Sequence, residues 1–304
     1  GKGGLVESSG GQVDFSGLRV DASAPEPGAA GTWLVDPYDL TVDSTAASTI
    51  NTNLATSNVT LQTTASGSSG PGTPNASGSG DININAGITW SSANTLTLDA
   101  YRNVNVKAPV TASGTGKVVI VTGDTTGTGV ETAARDYSFG LGATGFAGSL
   151  SFTAAAGSGQ SLTINGSAYT LIYDLTTGAN GLKSLSGKTT NYALAKSITG
   201  AGSSTTSLVT TYGGIFTGLG HTIDGLTLAP AAGNVGVFTT VTGTIRDFGL
   251  TNARLAPTTN GANLALLAAT STGGIFRNDY VTGSIDTTVV AGSSGPTAPL
   301  VATM

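Results

Sequence analysis

A constant 22-residue repeat is the sequence feature that most constrains this fold. Residues 81–100 overlay residues 103–122 without a gap, and their apolar positions coincide. The matched apolar pairs are Ile82/Val104, Ile84/Val106, Ile88/Val110, Leu96/Val118 and Leu98/Ile120. Each run alternates apolar with polar residues between Gly, Ser and Asn clusters, which is typical of short strands. A period of about 20–22 residues built from such strands predicts an all-β parallel β-helix (β-solenoid), whose coils stack ~4.8 Å apart.

Further matches extend the pattern in both directions. Val59 and Leu61 precede Ile82 and Ile84 by nearly the same interval. Later in the chain, Thr222–Asp224 matches Thr244–Arg246 at one period, and Phe216 matches Phe238 at the same interval. Ile285 lies close to two further periods beyond Ile245. These matches predict a second set of coils. The alternative is a sandwich or barrel of antiparallel strands, which does not demand a constant offset.

Composition excludes several classes of protein. The chain of 304 residues has 46 Gly, yet 38% of its residues are hydrophobic and the net charge is only −5, which argues against disorder. Twelve scattered basic residues and a pI of about 4.6 predict no nucleic-acid binding. No apolar run approaches the ~18–20 residues that a membrane-spanning helix needs. The absence of Cys excludes disulfides and thiolate chemistry.

Several segments resemble very large bacterial exoproteins of the filamentous haemagglutinin type. The first such segments are Gly31–Val42, Gly80–Ala86 and Asn94–Val106. Two more, Ser161–Gly166 and Tyr192–Ala195, resemble the stretch that leads into the GLUG-type repeats of these proteins. The repeats themselves are resembled by Phe216–Leu228, Val235–Phe238 and Gly243–Leu250. The resemblance implies a right-handed parallel β-helix from a secreted bacterial adhesin. Export by a two-partner or autotransporter-like route, through an outer-membrane transporter, is implied with it.

The repeats divide the chain into four parts. Residues 1–135 are predicted to form a β-helix interrupted by the Gly/Ser/Pro loop Ala65–Gly80. Residues 136–212 break the period and are predicted to hold an irregular insertion, where Asn180–Ile198 has the spacing of a short helix followed by an extended piece. The second set of coils occupies residues 213–290, and residues 291–304 are a tail, either a linker or a trailing strand.

The ends of the chain suggest a fragment of a longer protein. Gly1–Gly11 lacks the basic-then-apolar pattern of a signal peptide. A solenoid exposes the backbone of its end coils, so we expect flanking coils to cover them or copies of the chain to associate end to end.

One pair of acidic residues has a spacing that could matter chemically. Asp224 and Asp247 lie close to one period apart, which would stack them within ~5 Å on adjacent coils. Glycosidases use two such carboxylates. The simpler interpretation is that each bonds backbone N–H groups in a turn, with Arg246 and Asp247 flanked by solvent. The lone His221 has no second His or Cys for a metal site, and a turn residue bonded to backbone is the expected role.

Aromatic residues and a threonine pair are two candidate binding patterns. Trp33, Tyr38, Trp90 and Tyr101 could stack on sugars, but their spacing favours corners of the core. A Thr95/Thr97 pair resembles the start of an ice-binding array, which breaks one period later at Lys117 and Val119. No phosphate-binding loop or calcium-binding nonapeptide occurs. The prediction is therefore no enzyme, no catalytic residue, no metal and no cofactor, with any ligand-binding residues unassigned.

The function expected from the sequence is a structural and adhesive β-helical stalk segment of a secreted or surface-exposed bacterial exoprotein. Its partners would be host-cell or environmental glycans and proteins. A self-assembling extracellular fibre or matrix component is the first alternative. A polysaccharide-degrading enzyme on the same fold is the second, and it would require carboxylates and basic residues clustered at one groove.

Overall fold

A computed structural model describes residues 1–10, 13–25, 28–63, 79–124, 135–231, 233–258, 263–286 and 296–303. The chain separates into two compact units. Unit 1 comprises Gly1–Gly142 with Phe146–Tyr169, and unit 2 comprises Ala143–Gly145 with Thr170–Met304. Most of the predicted loop Ala65–Gly80 (residues 65–78) and the beginning of the predicted tail (residues 291–295) lie outside the described residues.

The described secondary structure is dominated by short strands. From the start of the chain to residue 172 they are β1 (Leu5–Ser9), β2 (Thr32–Asp36), β3 (Leu40–Val42), β4 (Asn58–Gln62), β5 (Ile82–Ile84), β6 (Ile88–Trp90), β7 (Thr95–Ala100), β8 (Val104–Val106), β9 (Pro109–Ala112), β10 (Lys117–Thr122), β11 (Tyr137–Ser138), β12 (Leu141–Gly142), β13 (Gly145–Phe146), β14 (Ser149–Phe152), β15 (Ser161–Ile164) and β16 (Ser167–Ile172). The later strands are β17 (Tyr192–Leu194), β18 (Ser203–Ser204), β19 (Val209–Tyr212), β20 (Ile215–Thr217), β21 (Thr222–Asp224), β22 (Thr227–Leu228), β23 (Phe238–Val241), β24 (Thr244–Arg246), β25 (Gly249–Leu255), β26 (Leu264–Ala265), β27 (Ala268–Ser271), β28 (Ile275–Arg277), β29 (Tyr280–Ile285), β30 (Thr297–Ala298) and β31 (Val301–Thr303).

Unit 1 is built on three parallel sheets. Their strand orders are β1-β2-β4-β7-β10-β15, β3-β5-β8-β11 and β6-β9-β14. The predicted 22-residue register is confirmed, because Ile82 pairs with Val104, Ile88 with Val110 and Leu96 with Val118. In β5 and β7 the apolar member of each alternating pair is buried and the polar member is partly exposed. In β10 the same alternation of burial holds, with Thr122 buried and Val119 and Val121 partly exposed. The chain is therefore all-β with long parallel sheets, as the repeat predicts.

The predicted match of Val59 and Leu61 with Ile82 and Ile84 does not describe strand pairing. Val59 pairs with Leu96 and Leu61 with Leu98, while Ile82 pairs with Leu40. A coil is taken here as the stretch of chain from one strand to its neighbour in the same sheet. The coil that begins at β4 is longer than the repeat because residues 63–81 separate β4 from β5. The apparent match therefore compared strands of two different sheets.

Unit 1 also contains a helix that the strand pattern did not predict. Helix α1 runs over Ser44–Leu54, and Asp43 caps its N-terminus by accepting hydrogen bonds from the backbone N–H groups of Thr45 and Ala46. The helix buries a stripe of small and apolar side chains, among them Ala46, Ala47, Ile50 and Leu54. The prediction of helical periodicity only near residues 180–196 was thus wrong, since Ala, Ser, Thr and Asn give α1 a weak apolar contrast.

Unit 2 also stacks parallel strands, in the orders β16-β17-β20-β24-β28, β19-β23-β27-β31 and β18-β22-β25-β21, with β29 on β25 and β26 on β30. Its first coil, from Thr170 to Tyr192, has the same length as the exact repeat of unit 1, and the later coils are longer. Phe216 pairs with Ile245, and Ile245 pairs with Phe276.

The matches predicted for unit 2 are wrong in register. Thr222 pairs with Gly249 rather than with Thr244, and Ile285 pairs with Leu255 rather than continuing the row of Ile245. Phe216 and Phe238 contact each other across the core instead of stacking in one sheet, with ring centroids 6.0 Å apart.

The middle of the chain contains the predicted short helix and extended piece. A 3₁₀-helix covers Leu182–Leu185, and β17 follows at Tyr192–Leu194. Leu182, Leu185 and Leu194 are fully buried in the core of unit 2. Beyond residue 295, β30 pairs with β26 and β31 with β27, so the described part of the tail adds strands to two sheets.

Candidate functional site

The predicted pair of carboxylates is not brought into register. Asp224 lies opposite Thr251, and its Oδ1 accepts hydrogen bonds from Thr251 Oγ1 and Asn252 Nδ2, both at 2.7 Å. These two hydrogen bonds lower the pKa of Asp224. Asp224 is therefore an ionised residue of a polar ladder, because the coil from β21 to β25 places residue 251, and not residue 247, beside it.

Asp247 belongs to a buried corner of unit 2. Arg246 and Asp247 are both fully buried, so the expectation that they flank solvent was wrong. Arg246 Nε donates to Asp247 Oδ2 at 2.6 Å, and Asn278 Nδ2 donates to Asp247 Oδ1 at 3.2 Å. The backbone of Asp247 has a φ of 50°, in the left-handed region, where Asp is better tolerated than most residues. A charged pair without exposed surface holds the turn after β24 and offers nothing to a substrate.

A second carboxyl, that of Asp279, supports the same corner. Its two oxygens accept the backbone N–H groups of Phe248 at 3.0 Å and Arg277 at 3.2 Å. Burial raises the pKa of Asp279 to about 8, and the charge of Asp247 adds to that rise. Asp279 is therefore largely protonated at neutral pH. The sequence carried no signal for this group, since the 22-residue offset does not align residues 247 and 279.

His221 occupies a corner next to β21. Its backbone N–H donates to the carbonyl of Gly218 at 2.8 Å, and its carbonyl accepts from the N–H of Gly249 at 3.0 Å. Its ring Nδ1 lies 3.3 Å from Ser197 Oγ. The residue is only 5% exposed. A buried imidazole with these partners has the contacts of a turn residue.

The aromatic residues do not form a platform for sugar stacking. Trp33, Tyr38 and Trp90 are buried. Phe15 packs edge-on against Trp33, and Trp90 Nε1 donates to the carbonyl of Asn94 at 3.0 Å. Tyr101 is partly exposed but lies beneath the Arg135 guanidinium, 5.5 Å from its ring centroid.

The threonine pair at Thr95 and Thr97 does not continue as a row, whereas a longer row occurs in unit 2. In unit 1 Thr97 lies between Thr60 and Val119, so the array is interrupted as expected. In unit 2 four threonines follow one another across β19, β23, β27 and β31: Thr211, Thr240, Thr270 and Thr303. The hydroxyls of Thr240 and Thr270 are 2.9 Å apart. This row was hidden from sequence analysis because its offsets are not constant.

Three carboxyl groups of unit 1 interact at the same end of one sheet. Asp99 ends the outward row of β7, Asp36 ends β2, and Asp124 follows β10. Burial raises the pKa of Asp99 to about 7. The charge of Asp124, its hydrogen bond to Asp99 and the charge of Asp36 add to that rise. With this pKa Asp99 is partly protonated at neutral pH, and a glycosidase acid also has a raised pKa.

One pocket of unit 1 is lined by none of these three aspartates. It has a volume of about 350 Å³ and is lined by Val13, Asp14, Phe15, Ser16, Pro37, Asp39, Leu40, Thr41, Asp43 and Ala46. Asp39 Oδ1 accepts the N–H groups of Gly80 at 2.7 Å and Asp81 at 3.0 Å. Burial raises the pKa of Asp39, but these hydrogen bonds outweigh burial, so the pKa is lowered. A hydrogen bond from Ser16 lowers the pKa of Asp14. Both carboxylates are ionised at neutral pH, so neither is suited to donate a proton.

Asp81 and Arg102 form the second corner ion pair, in which Asp81 is buried and Arg102 reaches the surface of unit 1. Arg102 Nε and a terminal guanidinium nitrogen donate to the two oxygens of Asp81 at 2.8 and 2.6 Å. Asn103, one period after Asp81, donates to Asp81 Oδ1 through its backbone and side chain. These contacts join successive coils.

No cluster of three or more metal-ligating side chains occurs within the part of the chain that the structure describes. Over the same residues, no helix has both the length and the apolar character needed to cross a membrane. No protein-family model, curated protein or solved structure matches this chain.

Proposed function

We propose that this chain is a right-handed parallel β-helical segment that serves as a structural and adhesive stalk in a secreted or surface-exposed bacterial exoprotein. The observation that carries the proposal is the in-register stacking of parallel strands, with continuous rows of apolar residues facing inward. Val59, Leu96, Val118 and Leu162 form one such inward row, and each is at most 1% exposed. Rows of this kind are how solenoids bury a continuous core.

The outward surface supports adhesion through a broad face. On the longest sheet of unit 1 the outward positions opposite one another are Leu34, Thr60, Thr97, Val119 and Thr163. These side chains are short and uncharged. A flat row of methyl and hydroxyl groups suits contact with an extended glycan or protein surface better than capture of a small molecule.

The carboxyl groups favour a stalk over a polysaccharide-degrading enzyme. Glycoside hydrolysis needs one protonated and one ionised carboxyl facing a substrate. Asp247 and Arg246 are enclosed, and Asp14 and Asp39, which line the pocket of unit 1, have lowered pKa values. Asp99 has a raised pKa, but its Oδ1 is buried.

Binding of the purified 304-residue chain to cultured cells and to arrayed glycans tests the proposal. We expect saturable binding that Thr60→Lys combined with Thr97→Lys weakens, because two lysines interrupt the outward row. Thr240→Lys, on a sheet of unit 2, is the matched control and should leave binding unchanged. Absence of binding to every surface, or release of reducing sugar from a polysaccharide, would overturn the adhesive assignment. Circular dichroism of each variant verifies that it is folded.

A further inference from the structure

Within the described part of the chain, the first strand of unit 1 has an open edge and exposed apolar side chains. Among the described residues β1 pairs with β2, and Val6 stands opposite the buried Trp33 in the core-facing row. Leu5 is 65% exposed, Val6 is 40% exposed, and Glu7 is exposed beside them. An open parallel edge with apolar side chains is a template for another strand.

Unit 2 has a corresponding edge at β28. Within the described residues β28 pairs with β24, and Phe276 continues the core-facing row of Phe216 and Ile245. Phe216 and Ile245 are fully buried, whereas Phe276 is only partly buried and Ile275 is 57% exposed. Arg277, the last residue of the strand, is partly exposed.

The backbone groups of these two edges are complementary. Thr32 N–H donates to the carbonyl of Gly4, so β1 directs alternate groups, including those of Val6, towards β2. The N–H groups and carbonyls of Leu5 and Glu7 therefore point to the open edge. Ile275 N–H donates to the carbonyl of Gly243, which by the same alternation leaves the N–H and carbonyl of Phe276 at the open edge of β28.

We propose that β28 of one copy of this chain pairs in parallel with β1 of a second copy. In the register that places Val6 against Phe276, Phe276 N–H donates to the carbonyl of Leu5, and the Phe276 carbonyl accepts from the N–H of Glu7. The same register keeps both core-facing side chains on one side and places Leu5 against Ile275. It also sets the carboxylate of Glu7 opposite the guanidinium of Arg277. Hydrogen bonds, apolar rows and charge thus agree on one alignment.

The contact is heterologous, since it joins different surfaces of the two copies. Each added copy leaves one β1 edge and one β28 edge open, so association continues unless a ring closes. The inference goes beyond the proposed stalk function and does not depend on any adhesive activity.

Sedimentation velocity of the 304-residue chain over a concentration series tests the proposal. We expect the mean mass to rise with concentration. Glu7→Arg alone, or Arg277→Glu alone, should raise the dissociation constant roughly tenfold, since a cross-strand attraction becomes a repulsion. The double variant Glu7→Arg/Arg277→Glu should restore association, and high salt should weaken it in the wild type. Lys117→Glu reverses a charge on an interior strand and is the matched control.

A monomer at every concentration would overturn the proposal. Association that both single reversals leave unchanged, or that the double variant fails to restore, would overturn the register. Hydrogen exchange provides a second readout, in which the amides of Glu7 and Phe276 gain protection on association. Circular dichroism of each variant separates loss of association from loss of folding.

Discussion

Strand Ile82–Ile84 of unit 1 meets its neighbour after a 22-residue coil, whereas strand Thr244–Arg246 of unit 2 meets its neighbour only after a 31-residue coil. The corners differ in the same way. The Asp81–Arg102 ion pair of unit 1 reaches the surface through Arg102, whose side chain is 43% exposed while that of Asp81 is 12% exposed. In unit 2 the side chains of Arg246 and Asp247 are 1% and 0% exposed. The short coil leaves the Arg102 guanidinium partly in solvent. A longer coil can enclose a charged pair, provided that neighbouring groups satisfy its hydrogen bonds.

The largest effect is expected at the buried corner. Arg246→Ala leaves the Asp247 carboxylate enclosed without its cation, which should reduce the free energy of unfolding of unit 2 by about 3–5 kcal/mol. Arg254→Ala removes an exposed partner of Asp286 in the same unit and should cost less than about 1 kcal/mol. Urea unfolding followed by circular dichroism measures both. Equal costs for the two variants would contradict the distinction between enclosed and surface pairs.

The next effect is expected in the apolar rows of unit 1. Leu98 stands between Leu61 and Ile120 and is 1% exposed, so Leu98→Ala should cost about 2–5 kcal/mol through lost burial and a cavity. The neighbouring Thr97→Ala changes an outward side chain and should stay within about 0.5 kcal/mol. Both tryptophans, Trp33 and Trp90, belong to unit 1, so tryptophan fluorescence during urea unfolding reports on this unit. Equal free energies of unfolding for Leu98→Ala and Thr97→Ala would contradict the prediction, because they would mean that the core closes around the smaller side chain without leaving a cavity.

A pH dependence distinguishes Asp99 from the surface carboxylates. Its pKa in the folded protein is about 7, above the ordinary value of 3.8, so the protonated carboxyl stabilises unit 1. That stabilisation is complete below pH 3.8 and is lost as the pH rises through 7. Asp99→Asn retains a hydrogen-bond donor towards Asp124 but cannot ionise. The free energy of unfolding of unit 1 should therefore no longer fall by roughly 1–2 kcal/mol as the pH rises, a modest value because Asp99 is partly exposed.

Tryptophan fluorescence during urea unfolding at pH 5 and pH 8 measures this loss. Asp279→Asn in unit 2 is the control, because Asp279 has a pKa of about 8 and affects the other unit. Persistence of the wild-type slope in Asp99→Asn would show that another group of unit 1 is responsible.

The smallest effect is expected at the surface corner. Arg102→Ala breaks the two-point contact with Asp81, yet the Arg102 side chain is 43% exposed and Asn103 keeps two hydrogen bonds to Asp81. Stability should fall by about 1 kcal/mol or less at low salt and by still less at high salt. A loss as large as that of Arg246→Ala would end the contrast between the two corners.

Strand pairing in unit 1 could be predicted where the repeat is exact. Between Ile82 and Ile120 no residue is inserted or deleted, so one offset aligns apolar side chains and hydrogen bonds together. The same reasoning failed at Val59 because the coil after β4 is longer, and it failed at Thr222 because the coils of unit 2 vary in length. A constant offset detects stacking only when the corners between strands have constant length.

Helix α1 and the candidate site were hidden for related reasons. Asp43 is a recognisable helix cap, but the helix that follows it is rich in Ser, Thr and Asn and has little apolar contrast. The carboxyl groups of Asp36, Asp99 and Asp124 are far apart in sequence and meet through sheet register. Asp247 and Asp279 likewise meet only because a 31-residue coil places their turns side by side.

The sequence by itself determined the strand composition, the inward and outward alternation, and the parallel register of its exact repeat, since these follow from side-chain periodicity and local backbone preference. Only the tertiary structure decided which strands pair across coils of unequal length, which charges are enclosed and which carboxyls hold a proton. Those properties depend on the distance between groups and on their exclusion from water. Both arise when coils stack, and neither can be read from the spacing of residues along the chain.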